Sequence, residues 1–361
     1  MSELRALTSL RGIAAWLVVL YHIRGSIAGL PAAMEAVFAK GYLAVDFFFL
    51  LSGFVIWLTW HDRMREPGAI PHFLQKRVAR IWPLHAAMLA FAVALALILN
   101  ATGRNDPAFP FAELPLHLLL IQNWGFTDTL RWNDPAWSIS CELAAYLLFP
   151  LLMRAIDWRT LPTIVLVAIA AAVLAALHFA MEGAASLGDD IPRHGLVRCL
   201  TEFTAGTVLS AIFLRTRNSC NTSIGRQGPW LAPERRTVTA ATLCAAAAVT
   251  AWVMGAPETL AVPAAFSGLL LTIALTSGDR ANPFEGRMLH YLGQISYATY
   301  LSHFLLWKAF KLPLASASVP PWQIACYLVL VFVASIALYH TVERPAQRRI
   351  NALSIRRHAA V

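Results

Sequence analysis

The side chains best equipped for chemistry stand inside stretches that are otherwise apolar. Arg11 and His22 are eleven residues apart in one of them. On a helix that spacing is about three turns and ~16 Å, so both side chains fall on one face. A face with a guanidinium at one level and an imidazole at another can hold an anionic group and move a proton. If Arg11 marks the cytoplasmic border of a hydrocarbon layer ~30 Å thick, His22 falls near its midplane. The plainer alternative is a core histidine satisfied by a backbone carbonyl.

Two carboxylates lie in comparable surroundings. Asp46 stands within the first turns of Gly41-Tyr42-Leu43-Ala44-Val45-Asp46-Phe47-Phe48-Phe49-Leu50-Leu51-Ser52-Gly53-Phe54, a segment with no cation of its own, and His22 is its expected partner. Ser52 and Gly53 suit close helix packing. Glu142 comes about two turns into a segment opened by Asn133-Asp134-Pro135-Ala136-Trp137-Ser138, where Pro135 fits a helix start and Asp134 a cap. A buried carboxylate beside an imidazole orients the ring or exchanges a proton with it; the plainer role is a structural hydrogen bond to Arg131 or the backbone. Arg77 and Arg80 are three apart, hence neighbours on one face, and two guanidinium forks match phosphate oxygens. Simple anchoring at the membrane edge competes with that reading. Arg198 and Glu202, four apart, are expected to form an ion pair with a structural or gating role. His303 is either a second polar site or a satisfied core residue.

The elements that must position these groups follow from composition. The 361 residues are 58% hydrophobic and only 14% charged, with a mean hydropathy of +0.58. A soluble domain is nearer half apolar and a quarter charged. The balance excludes a soluble enzyme, a disordered chain and a nucleic-acid-binding domain, and indicates an integral membrane protein. Apolar runs at 10–25, 42–60, 82–99, 136–153, 161–181, 194–214, 238–254, 260–277, 291–311 and 322–341 predict ten spanning helices. Leu114 to Trp124 is too short to span and reads as re-entrant or interfacial. The first run is expected to be retained, because no clear cleavage site follows it.

The net charge of +9 fits basic loops that set topology. With the N-terminus in the cytoplasm, twenty-one of the 29 Lys and Arg fall on that side, which places both termini there. Asn218 to Pro233 reads as a flexible cytoplasmic loop. No soluble domain is expected: residues 1–345 form the transmembrane domain and 346–361 a basic cytoplasmic tail. The five cysteines are scattered and show neither a disulfide framework nor metal-ligand spacing.

Taken in order, these stretches resemble acyltransferase family 3, membrane proteins that O-acylate sugars of bacterial surface polysaccharides and some macrolides. The resemblance rests on Ser9-Leu10-Arg11-Gly12-Ile13-Ala14 with His22, on Val45 to Phe54, and on Arg77-Val78-Ala79-Arg80-Ile81-Trp82-Pro83. Trp137-Ser138 with Glu142, Gly293-Gln294-Ile295-Ser296-Tyr297 through Tyr300-Leu301-Ser302-His303, and Glu343-Arg344-Pro345 complete it.

The resemblance implies an all-α, multi-pass protein of the bacterial cytoplasmic (inner) membrane. It implies His22 as the essential residue and a coenzyme A site at Arg77 and Arg80, with Arg11 as a further cofactor contact. The mechanism expected from it uses acetyl-CoA as acyl donor, without a metal. A surface polysaccharide or its lipid-linked precursor is the acceptor, and the lipid bilayer is the only other partner. His22 then takes the proton of a sugar hydroxyl or briefly carries the acyl group, with Asp46 or Glu142 behind it. Trp137, Ser138, Tyr297 and His303 are the expected substrate contacts. The rival readings are a transporter or flippase, since intramembrane His, Asp, Glu and Arg also build proton relays, and an accessory subunit of a polysaccharide synthase.

Overall fold

The apolar runs fold as helices, as backbone groups in a hydrocarbon layer must bond within their own segment. The structure is a computed structural model that describes residues 3–223, 233–279, 282–314 and 318–358. Its α-helices are α1 (Arg5–Ile23), α2 (Ala32–Ala39), α3 (Ala44–Trp60), α4 (Ala69–Ala101), α5 (Leu114–Leu119), α6 (Ala136–Ala155), α7 (Thr163–Ala180), α8 (Ile191–Ser223), α9 (Pro233–Val253), α10 (Glu258–Leu275), α11 (Arg287–Lys311), α12 (Pro321–Leu338) and α13 (Arg344–His358). A π-helical turn, Tyr339–Glu343, joins the last two. Among the described residues there is no strand, only an isolated bridge between Ile27 and Val319.

Nine stretches of helix among the described residues are long and apolar enough to cross a membrane. The segment expected at 291–311 is a continuous helix, α11, but is not one of the nine. Its polar residues turn inward instead: Thr299, Ser302 and His303 are fully buried. The short run from Leu114 gives only the six residues of α5. The loop expected at Asn218 to Pro233 is helical as far as Ser223, and 224–232 lie outside the described residues. The basic tail is helical as far as His358, within α13, and 359–361 lie outside the described residues.

The chain divides into two compact units. The first comprises Met1–Arg11, Val45–Glu66 and Leu148–Gly293. A tight seam joins α3 to α8. A Cβ on Gly53 would stand 1.9 Å from the Phe203 carbonyl oxygen, and one on Gly206 would stand 2.0 Å from that of Leu50. Each glycine thus admits the other helix's backbone, as expected of Gly53. Asp46 lies seven residues before Gly53, and Arg198 eight before Gly206. At 3.6 residues per turn, the seam that the glycines close also carries Asp46 and Arg198.

The second unit comprises Gly12–Ala44, Pro67–Leu147 and Gln294–Val361. Its core packs Val19 and Ile23 of α1 with Trp307 of α11 and with Ile324, Tyr327 and Val331 of α12. Hydrogen bonds tie this core together: Thr299 to Ser335 at 2.9 Å, and the Tyr327 hydroxyl to the His303 carbonyl at 2.8 Å. In this way α11 is held by α12 over the turns that carry its polar side chains.

Candidate active site

α1 delivers His22 in its last turn. The helix ends at Ile23 and gives way to the 3-10 turn Arg24–Ser26. His22 therefore sits at a helix end and not midway along it. The Arg24 guanidinium fixes that end, donating to the Tyr21 carbonyl and lying 4.1 Å over the Tyr21 ring. Nδ1 of His22 is 2.9 Å from the Val18 carbonyl oxygen and 3.1 Å from Nε2 of His303. Tyr21 and Phe304 pack edge-on against the ring, at 5.0 and 5.5 Å between centroids. Nε2 of His22 has no hydrogen-bond partner among the described residues, and the residue is only half-buried.

Neither carboxylate expected behind His22 is hydrogen-bonded to it. Both Asp46 oxygens are taken by the Arg198 guanidinium, at 2.5 and 2.6 Å, in a fully buried bidentate pair. Arg198 also donates to the Leu187 carbonyl at 2.9 Å. The pairing expected along α8 does not form, and both Glu202 oxygens are buried without a hydrogen bond. A planar fork meeting a carboxylate across the glycine seam outcompetes a single contact along one helix. Glu142 of α6 acts electrostatically on Arg80 and Tyr297. His22 feels Arg24 as its charged neighbour.

The two arginines of α4 have different surroundings. Arg80 donates to the carboxylate of Glu343, which the π-helical turn presents in a fully buried position. Its guanidinium also lies 5.4 Å over the Tyr297 ring, whose hydroxyl donates to the Ile81 carbonyl at 2.6 Å. Tyr297, expected at the acceptor, thus belongs to the surroundings of Arg80. Arg77 lies 5.9 Å over the rings of both Phe73 and Tyr146, with its Nε buried and unbonded. An orphaned guanidinium donor between two rings fits a phosphate oxygen, whereas the Arg80 fork is already engaged. Arg11 lines a separate cavity of about 580 Å³ in the first unit, with Thr8, Val55, His61, Asp62 and Arg63.

Ser138 shares a 2.8 Å hydrogen bond with the Tyr300 hydroxyl and donates to the Pro135 carbonyl. It links α6 to the helix that carries His303. Asn133 strengthens that link, donating to the Leu301 carbonyl at 2.9 Å. Trp137 lines a cavity of about 10 Å³ together with Gln122, Asn133, Asp134 and His117, room for about one water-sized group. The side-chain oxygens of Gln122 and Asn133 are buried there without partners. Burial holds the His117 ring down to about 4, with His85 adding to the effect.

Burial also raises the Asp134 carboxyl from 3.8 to about 6, against the pull of Lys308 and Arg131. In the folded chain Asp134 therefore keeps a proton that the unfolded chain has released. Stability should fall as pH rises from 3.8 to about 6 and be flat above. The loss is at most about 3 kcal/mol. Asp134→Asn should remove this slope in detergent unfolding curves, and an unchanged slope would contradict the assignment.

Sequence reading missed three partners: Arg198 for Asp46, Glu343 for Arg80 and His303 for His22. Each joins segments more than 150 residues apart. The available signals were an unpaired carboxylate or cation in an apolar run and the Glu343-Arg344-Pro345 triplet.

Comparison with known proteins converges on one family. The chain is 31% identical to the acyltransferase MdmB of Streptomyces mycarofaciens over 383 aligned residues, covering 96% of this chain and 92% of MdmB. It is 26% identical to BcsY of Komagataeibacter xylinus, whose name describes a membrane-bound transacylase, over 94% of this chain and 82% of BcsY. A Rhizobium radiobacter protein named for the picA locus is 34% identical over 38% of this chain. No solved structure matches. The acyltransferase-domain model of family 3 matches residues 4–340. With that match over nearly its whole length and its stack of apolar helices, the chain belongs to acyltransferase family 3 and is a multi-pass membrane acyltransferase.

Proposed function

We propose that the protein moves an acyl group, acetyl in the simplest case, from cytoplasmic acyl-CoA to a hydroxyl of a glycan. The glycan is a bacterial surface polysaccharide or its lipid-linked precursor, and the enzyme sits in the inner membrane with both termini in the cytoplasm. The observation that carries this reading is the state of His22. Its Nδ1 is committed to the Val18 carbonyl while Nε2 stays unbonded on a half-buried ring. A carbonyl oxygen only accepts, so the proton of the neutral ring is on Nδ1 and the lone pair is on Nε2. That is the form a general base requires.

The step balances without a further reactant. His22 Nε2 takes the proton of the acceptor hydroxyl as its oxygen bonds the thioester carbonyl carbon. The tetrahedral centre then collapses, the C–S bond breaks, and the sulfur leaves as the CoA thiol with the proton returned from Nε2. The acceptor side has matching chemistry. Two unpartnered amide oxygens, of Gln122 and Asn133, stand beside the Trp137 ring. They call for hydroxyl donors, and the cavity of about 10 Å³ limits what enters to a single hydroxyl-sized group.

For the donor, Arg77 is the arginine of the α4 pair whose Nε is buried without a hydrogen-bond partner among the described residues. Arg77→Lys should weaken acetyl-CoA binding about tenfold in calorimetry, because an ammonium cannot reproduce the fork. Arg80→Lys should act mainly on stability, through Glu343. Unchanged affinity in Arg77→Lys would return that residue to membrane anchoring.

A further inference from the structure

We propose that His303 is the positioning residue of this acyltransferase, a neutral imidazole that fixes the His22 tautomer and accepts the Nδ1–H hydrogen bond of the His22 imidazolium. The inference rests on the reading of His22 as the base. It assigns to a second histidine the place that a carboxylate takes in most such sites.

The proton positions follow from the acceptors. Nδ1 of His303 is 3.2 Å from the Thr299 carbonyl oxygen, so it carries the hydrogen of the neutral ring. His303 Nε2 is then a lone pair, and it points at His22 Nδ1 from 3.1 Å. His22 Nδ1–H is shared between the Val18 carbonyl and this lone pair. Both acceptors favour the same tautomer, and both leave His22 Nε2 free toward the acceptor. When Nε2 takes a proton, the charged ring still has two acceptors on its other nitrogen, and hydrogen bonds from a charged donor are the stronger kind.

The surroundings hold His303 in that role. The side chain is fully buried. Its carbonyl accepts from the Tyr327 hydroxyl, and the Tyr300 ring lies 6.2 Å away between centroids. Tyr300 is fixed in turn by Ser138 and by the Pro135 carbonyl. A neutral partner has a chemical advantage here. A carboxylate against His22 would favour the imidazolium before reaction and occupy the base with a proton. An imidazole orients the ring and supports the charge only once it forms.

The test compares His303→Leu, His303→Gln and His303→Asn in the full-length protein in bilayers. Transfer is followed with [1-¹⁴C]acetyl-CoA into the glycan and lipid fraction of the membranes. Gln places its amide oxygen where Nε2 stands, whereas Asn reaches only the position of Nδ1. His303→Leu should lower kcat on the order of 10²-fold with KM for acetyl-CoA unchanged. His303→Gln should recover to within about tenfold of wild type, and His303→Asn should not. Nitrogen-15 spectra of labelled histidine should show a bare Nε2 on His22 in wild type and a mixture of tautomers in His303→Leu. Wild-type kcat in His303→Leu would overturn the proposal. So would equal kcat in the Gln and Asn variants, a comparison that still decides if His303→Leu fails to fold. An inactive His22→Gln beside an active His303→Leu would sink this inference alone. An active His22→Gln would sink the reading beneath it.

Discussion

His22→Gln should insert, bind acetyl-CoA as wild type does, and lose about 10²–10⁴-fold in acyl transfer, the usual cost of removing a general base. Gln is close in size, and the ring it replaces is only half-buried at the end of α1, so no large cavity opens. What disappears is the Nε2 lone pair, which the bond of Nδ1 to the Val18 carbonyl leaves free. Stopped-time transfer of labelled acetyl at matched protein levels reads the effect. Binding measured in parallel separates loss of chemistry from loss of fold. Glu142→Gln should act differently: Glu142 acts electrostatically on Arg80 and Tyr297, so its removal should lower stability through the Arg80 surroundings more than it lowers the rate of the chemical step.

The largest effect on stability should come from the pair that holds α3 to α8. Arg198→Leu leaves Asp46 buried and unpaired, which costs about 3–5 kcal/mol. Chemical denaturation in detergent should show a lowered midpoint, or the protein should fail to accumulate. A double variant, Asp46→Leu with Arg198→Leu, should recover most of the loss, because two apolar groups meeting across a close seam leave no charge uncompensated. Equal losses in the single and double variants would show that the pair does more than join two helices.

How much of this was legible in the residues depends on how local each feature is. The placing of Arg11 and His22 on one helix, the start of α6 just after Pro135 and the close approach at Gly53 are set within one segment or by one small residue, and they appear as the sequence suggests. The partners of the charges are not local. Arg198 lies four residues from Glu202, which invites a pair along one helix. The bidentate geometry to Asp46, 152 residues distant, decides otherwise. The end of α1 at Ile23 is a local feature: Arg24-Gly25-Ser26 interrupts the apolar run there, two residues short of the span expected at 10–25. α11 shows the reverse case. Its polar residues lower its hydropathy, and the burial that explains them becomes visible only when α12 is in place.

The most direct measurement is transfer itself. Purified protein in vesicles, given [1-¹⁴C]acetyl-CoA and a glycan fraction from the source cells, should release CoA only when the glycan is present. The label should appear in the glycan in a linkage that mild alkali removes, as an ester requires, in an amount equal to the CoA released. CoA release that ignores the glycan, with no alkali-labile label, would contradict acyl transfer to a hydroxyl.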